Sequence, residues 1–325
     1  MAKQVPLGAT REFIYGCEAA MALRYALYPG CAAKGATPEL FQSTMAVIGR
    51  LGIEVTELTA SSCCGAGVVA EADPEGALAL SARTFAQAER LGLDVMTICG
   101  TCQGVMSAAN RQLKGDAGLL ERVNRLLQPE GLTYQGGIQV KHLLWIVVRE
   151  VGLEKLKGEV QVTLGDLRLA PFYGCYILRP SWDLGFDDPE NPNSLEKVIR
   201  AVGAEPVDYR GKIKCCGFPI ILEKEDIALT MNGANLKEAK DEGADAMVTP
   251  CPLCHMSLDI YQERAAKKIH ARLDLPVLHL PQMLGLAMGV PADELGMGRH
   301  LVSVDPILKM VEERRTKGER GEDRP

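Results

Sequence analysis

SSCCGAG, residues Ser61 to Gly67, sets two adjacent cysteines on a glycine-supported bend, and KCCGFP, Lys214 to Pro219, sets a second such pair in the same way. Neighbouring cysteines make a poor disulfide and an unusual zinc site, so each pair is read with the sulfur around it. Around the first stand Cys31, Cys99 and Cys102; around the second, Cys175, Cys251 and Cys254. Both groups read C…CCG…CxxC. Thirty-five positions separate Cys64 from Cys99 and also Cys216 from Cys251, whereas the opening interval is 32 in one group (Cys31 to Cys63) and 40 in the other (Cys175 to Cys215). A matched interval beside a variable one is what duplication followed by loop drift leaves. The remaining cysteine, Cys17, belongs to neither group and reads as a spare thiol.

The surroundings repeat with the cysteines. YALYPGC matches APFYGC, an apolar strand that ends in glycine and cysteine. Helix starts follow at Pro38-Glu39 and Asn193-Ser194, then the short strands IEVTEL and PVDY, each leading to its CCG. Long helix-forming stretches come next, closed by glycine. LDVMTI and DAMVTP then read as buried strands that deliver CxxC at a strand-to-helix turn. This alternation predicts an α/β fold of two tandem Rossmann-like parallel-sheet domains related by a pseudo-two-fold. In such sheets ligands collect beyond the carboxyl ends of the strands, and all five cysteines of each half fall there. The expected boundaries are an N-terminal extension over 1–20, a first domain over 21–150, a second over 151–310, and a charged tail over 311–325 without structure. VKHLLWIVVREVG, in the connection between the halves, reads as a packed helix.

Bulk properties bound the function. The chain has 325 residues, 47% of them hydrophobic and 24% charged, as expected of a globular protein. A formal net charge of −6 and an aromatic share of 5% argue against a nucleic-acid surface. The N-terminus has no uninterrupted apolar run, which reads as the absence of a signal peptide. Leu275 to Ala292 is broken by Pro276, Pro281 and Pro291 and does not read as a membrane span. A cytoplasmic, reducing compartment is expected, where cysteines serve as ligands or redox groups rather than as bridges.

Three chemistries compete for the cysteines. Thioredoxin-like exchange at CxxC leaves both CCG pairs idle. Structural zinc needs four thiolates, leaves a fifth over in each repeat, and is easier to accept in one half than in both. Iron–sulfur chemistry suits soft thiolates, and five of them suggest a larger or irregular cluster. CPLCH, Cys251 to His255, also matches the c-type haem attachment pattern. That attachment normally takes place outside the cytoplasm, and CGTCQ in the first repeat lacks the histidine. His255 is a helix-start or supporting residue, and a weak candidate for touching a substrate or donating a proton.

With these motifs in hand, the chain resembles the B subunit of heterodisulfide reductase and its duplicated CCG-domain relatives over about Arg24 to Gly289. The resemblance implies two noncubane [4Fe-4S] clusters. Cys31, Cys63, Cys64, Cys99 and Cys102 would hold one, and Cys175, Cys215, Cys216, Cys251 and Cys254 the other. It also implies cleavage or formation of a disulfide between them, within a complex that includes a flavoprotein subunit and a ferredoxin-like [4Fe-4S] subunit. The stretches RYALYPGCAAKGATPE, TICGTCQGVM and APFYGCYILRP are similar to the bacterial sulfur-oxidising branch, which implies a lipoate-carrying partner. Arg24, Lys34, Arg179 and Lys214 lie near cysteines and are candidates for meeting an anionic substrate. No nicotinamide, flavin or P-loop fingerprint is present. The alternative is a CCG-domain subunit of a succinate:quinone reductase that passes electrons to membrane quinone, with Gln282 to Val290 as its membrane contact.

Overall fold

The computed structural model describes residues 22–319. The expected extension over 1–20, with Cys17, lies outside the described residues, as do residues 320–325. Leu23–Tyr28 (β1), Ile53–Glu57 (β2), Asp94–Thr97 (β3) and Val140–His142 (β4) form a parallel sheet in the order β2-β1-β3-β4. Arg168–Pro171 (β5), Glu205–Pro206 (β6), Ala246–Thr249 (β7) and Val277–His279 (β8) form a second parallel sheet in the matching order β6-β5-β7-β8. The two tandem Rossmann-like halves are therefore present, with the same winding in each.

The central strands are short apolar runs because both of their faces are covered. All four residues of β7 are buried. Along each central strand alternate side chains enter different cores. Leu27, Leu169 and Val248 enter one that also holds Leu40, Val198 and Leu284, while Ala26, Ala170 and Met247 enter another with Phe85, Met106 and Leu258. Each core draws on both sheets, so the halves share their interior.

Three expectations change. VKHLLWIVVREVG does not form one helix: Val140–His142 pairs with β3 as its edge strand, and helix begins only at Leu143. The tail is not without structure, since Asp305–Glu319 is helical. Ile307 is buried, Leu308, Met310 and Val311 pack on the core, and Arg314 pairs with Asp166. Local composition had suggested a solvated tail, but a few apolar residues docked on the second half hold the helix. Finally, the helix Leu280–Ala287 is buried at every position, so the proposed membrane contact at Gln282 to Val290 is core. Among the described residues no helix is long and apolar enough to cross a membrane.

The halves press together beside the first CxxC. In the helix Gly100–Gly115, a Cβ at Gly104 would come 2.5 Å from the carbonyl oxygen of Tyr176, the residue after Cys175. Gly104→Ala is expected to cost about 1–3 kcal/mol. Gly115→Ala, where the added carbon meets nothing within 4 Å, is expected to be neutral or stabilising by up to about 1 kcal/mol. Denaturation midpoints compare the two; equal midpoints would show that the halves do not meet closely at Tyr176.

Candidate metal centre

Each cysteine is presented by the same device in both halves. Cys99 and Cys251 stand two residues beyond β3 and β7 and precede the helices Gly100–Gly115 and Pro252–Ile260. Their backbone angles are nearly identical, φ −131° and ψ 119° against φ −130° and ψ 121°. Cys102 and Cys254 follow in the first helical turn. The CCG pairs bend through Gly65 and Gly217, at φ +80° and +83°, in the left-handed region that glycine enters freely. A Cβ at Gly217 would lie 2.9 Å from the backbone of Ala228, so the bend rests directly on the helix Glu225–Asp241. The amides of Gly65 and Gly217 donate to Cys63 Sγ and Cys215 Sγ at 3.5 and 3.4 Å.

All ten cysteines of the two groups are free, and their sulfurs follow one another in a chain of contacts. Cys31 Sγ lies 3.9 Å from Cys63 Sγ, and Cys64 Sγ lies 3.6 Å from Cys102 Sγ. Contacts between Cys63 and Cys64, and between Cys102 and Cys99, complete the first five. The second five repeat the pattern, Cys175 to Cys215, Cys215 to Cys216, Cys216 to Cys254 and Cys254 to Cys251. The two series approach each other at Cys251, whose Sγ lies 3.5 Å from the hydroxyl of Thr101, two residues beyond Cys99. Sulfurs 3.6–3.9 Å apart are far beyond disulfide bonding length.

Crowding dominates the electrostatics. Hydrogen bonds from Cys102 and Cys63 pull the Cys64 thiol well below its usual range, and bonds from Cys175 and Cys216 do the same to Cys215. Their bonds to Cys64 and Cys99, and to Cys215, together with burial, push Cys102 and Cys175 up. Ten sulfurs this close share protons unless a positive partner takes their place. Cys64, Cys99, Cys102, Cys216, Cys251 and Cys254 are buried, while Cys31 and Cys63 are exposed. The Tyr28 hydroxyl, pushed up by burial and by Cys102, donates to Ser62 O at 2.9 Å.

The other sequence candidates are engaged elsewhere. Lys34 pairs with Glu57 at 2.7 Å and lies over the Phe41 ring, and Lys214 pairs with Glu238 at 3.3 Å. Arg179 binds Ile213 O, Pro189 O and Glu190, and Arg24 lies on the surface 3.8 Å from Glu54. His255 turns from the sulfurs to a buried network in which its Nε2 meets His300 Nδ1 at 3.2 Å and its ring stacks on His279. His279 Nε2 meets Glu39 Oε1 at 3.4 Å, which links the second half to the first. Burial pushes His255 and His279 well below the usual histidine range, so both are neutral.

Several contributors were missed from sequence. His142 Nε2 donates to Pro250 O at 3.0 Å, immediately before Cys251, and the Thr101 hydroxyl lies 3.5 Å from Cys251 Sγ. Both cross between halves. The repeat carried a signal for His142, because VKHL and VLHL occupy matching places. A largely apolar cavity of about 310 Å³, lined by no cysteine, opens between Ala77, Ser81 and Gly104 on one side and Tyr176 and Arg179 on the other.

The cysteine-rich CCG domain matches residues 25–107 and 169–259, one copy per half. Relatives extend the likeness to nearly the whole length. The chain is 32% identical over 89% of its length to the B subunit of the ferredoxin/F(420)H(2)-dependent CoB-CoM heterodisulfide reductase of Methanosarcina acetivorans, 97% of which is covered. The chain belongs to the heterodisulfide reductase B-subunit family. These relatives are named as B subunits of heterodisulfide reductases or as B-subunit-like proteins. It is also 40% identical over 88% of its length to the "8-methylmenaquinol:fumarate reductase membrane anchor subunit" of Wolinella succinogenes, covering 100% of it. A crystal structure of a hypothetical protein from Helicobacter pylori shares the fold at a TM-score of 0.69 and 17% identity, over 86% of this chain and about half, 52%, of that one.

Accessibility gives a direct check. In protein stripped of metal under reducing conditions, iodoacetamide is expected to label Cys31 and Cys63 well before Cys99, Cys102, Cys251 and Cys254. Peptide mass spectrometry reads the order, and uniform labelling would contradict the buried placement.

Proposed function

We propose that each quintet holds one noncubane [4Fe-4S] cluster, Cys31, Cys63, Cys64, Cys99 and Cys102 the first, and Cys175, Cys215, Cys216, Cys251 and Cys254 the second. The donor set fits: five unpaired, mostly buried soft sulfurs per half, with none of the pairing a disulfide protein needs. The chain then acts as the subunit of a heterodisulfide reductase-like complex that splits or forms a disulfide, or a thiol-bound sulfur substrate, between the halves. When bound, the clusters supply one-electron exchange and a soft site for sulfur. The observation that carries this reading is the approach of Thr101, inside the first CxxC, to within 3.5 Å of Cys251 Sγ of the other half, which sets the two quintets at one junction, as a two-electron substrate served by two one-electron centres requires. The chain's own residues shape that junction: His142 fixes the backbone before Cys251, and Tyr176 closes over Gly104. The setting is a cytoplasmic complex for sulfur oxidation, with a flavoprotein subunit, a ferredoxin-like subunit and a lipoate-carrying partner.

A second reading is favoured by the 40% identity to the Wolinella subunit and by the apolar lining of the cavity at Tyr176. In it the same pair of clusters takes electrons from, or gives them to, a quinol at a membrane, with docking supplied by partner subunits or by surfaces other than the buried helix Leu280–Ala287.

Anaerobic purification with metal counting is expected to find about eight irons per chain, four per cluster. Cys63→Ser or Cys216→Ser is expected to remove about half of the iron, a whole cluster rather than one ligand's share. Zinc in place of iron would refute the assignment. Added thiol or disulfide is expected to change the EPR spectrum of the oxidised protein. A spectrum indifferent to sulfur compounds but altered by a menaquinol in liposomes would select the second reading.

A further inference from the structure

The two quintets receive almost the same hydrogen bonds from the protein. Gly65 N–H to Cys63 has its counterpart in Gly217 N–H to Cys215, and Ala66 N–H to Cys64 in Phe218 N–H to Cys216. At the CxxC helix starts the match breaks: the Cys102 amide donates to Cys99 Sγ at 3.4 Å, whereas Cys251 caps its helix without such a bond. The Thr101 hydroxyl, in the middle of the first CxxC, lies 3.5 Å from Cys251 Sγ of the other half. Its counterpart in the second CxxC is Leu253, which has no hydrogen to give back to Cys99. Thr101 is 7% exposed and Cys251 3%, so water does not compete for the contact.

We propose that Thr101 raises the reduction potential of the second cluster by donating a hydrogen bond across the junction to Cys251. The inference rests on the cluster assignment above and deepens it. A cysteine sulfur bound to iron carries no proton, so in the Thr101–Cys251 pair only the hydroxyl can donate. A hydrogen bond to a ligating sulfur withdraws negative charge from it and favours the reduced cluster, and the dry surroundings strengthen the effect. The exchange of threonine for leucine at one position of the repeat thus lets one half tune the cluster of the other. Thr101 acts here as a positioning residue through Cys251 and need not touch a substrate.

The test is an EPR-monitored redox titration of the anaerobically purified protein. Thr101→Val keeps the shape and removes the hydroxyl. It is expected to leave the iron content unchanged and to shift the second cluster to lower potential, with Thr101→Ser restoring it. Repeating the substitution in the Cys63→Ser background, which keeps the second cluster, is expected to show the shift. The Cys216→Ser background, which keeps the first, is expected to show none. The inference is overturned if Thr101→Val retains its iron and neither cluster moves, or if both move equally. Protein that carries no iron from the start would instead overturn the cluster assignment on which it rests.

Discussion

Ten cysteine sulfurs, drawn from positions as distant as Cys31 and Cys254, gather beyond the carboxyl ends of two parallel sheets, close enough to perturb one another's titration. A buried, crowded thiolate is costly in isolation, because burial and like charge both oppose it. Hydrogen bonding among the sulfurs holds Cys64 below the usual thiol range while burial and its neighbours push Cys102 above it. The proposed clusters would relieve that cost. Much of the surrounding structure serves to hold the sulfurs together: glycine bends that rest on helices, cysteines at helix starts, and short edge strands that end in histidine.

The same demand explains why the halves do not behave as separate beads. Each sheet brings its cysteines to one edge, and the two edges face each other. The cores run through both halves, and the crossing contacts concentrate near the sulfurs, with His142 on Pro250, Thr101 on Cys251, and Tyr176 over Gly104. Glu39 and His279 make a crossing link on the far side of the second CxxC helix. These contacts fix the separation of the two cysteine groups, as a pair of electron-transfer centres would require.

Within this near-symmetry the differences carry information. Gln103 and His255 occupy matching places, yet the glutamine bonds Thr97, Ser107 and Val140 O within its own half, while the histidine joins a network that reaches Glu39 in the other. Thr101 and Leu253 differ in the same way, one able to bond across the junction and one not. Such exchanges leave the winding of the sheets untouched and alter only what faces the partner half.

The sequence by itself determined the duplication, the alternation of strands and helices, and the two cysteine sets, because each is written in local spacing: 35 positions from CCG to CxxC, and apolar runs ending in glycine and cysteine. It left β4 hidden inside a helical-looking stretch, since Val140–His142 becomes a strand only by pairing with β3. It also misjudged the tail, whose helix depends on Ile307 finding a core to enter. The approach of the two CxxC turns, the reach of Thr101 across the junction to Cys251 and the turning of His255 toward His300 and His279 were decided only by tertiary structure. They depend on how two separately encoded sheets are set against each other, and no spacing along one chain records the distance between them.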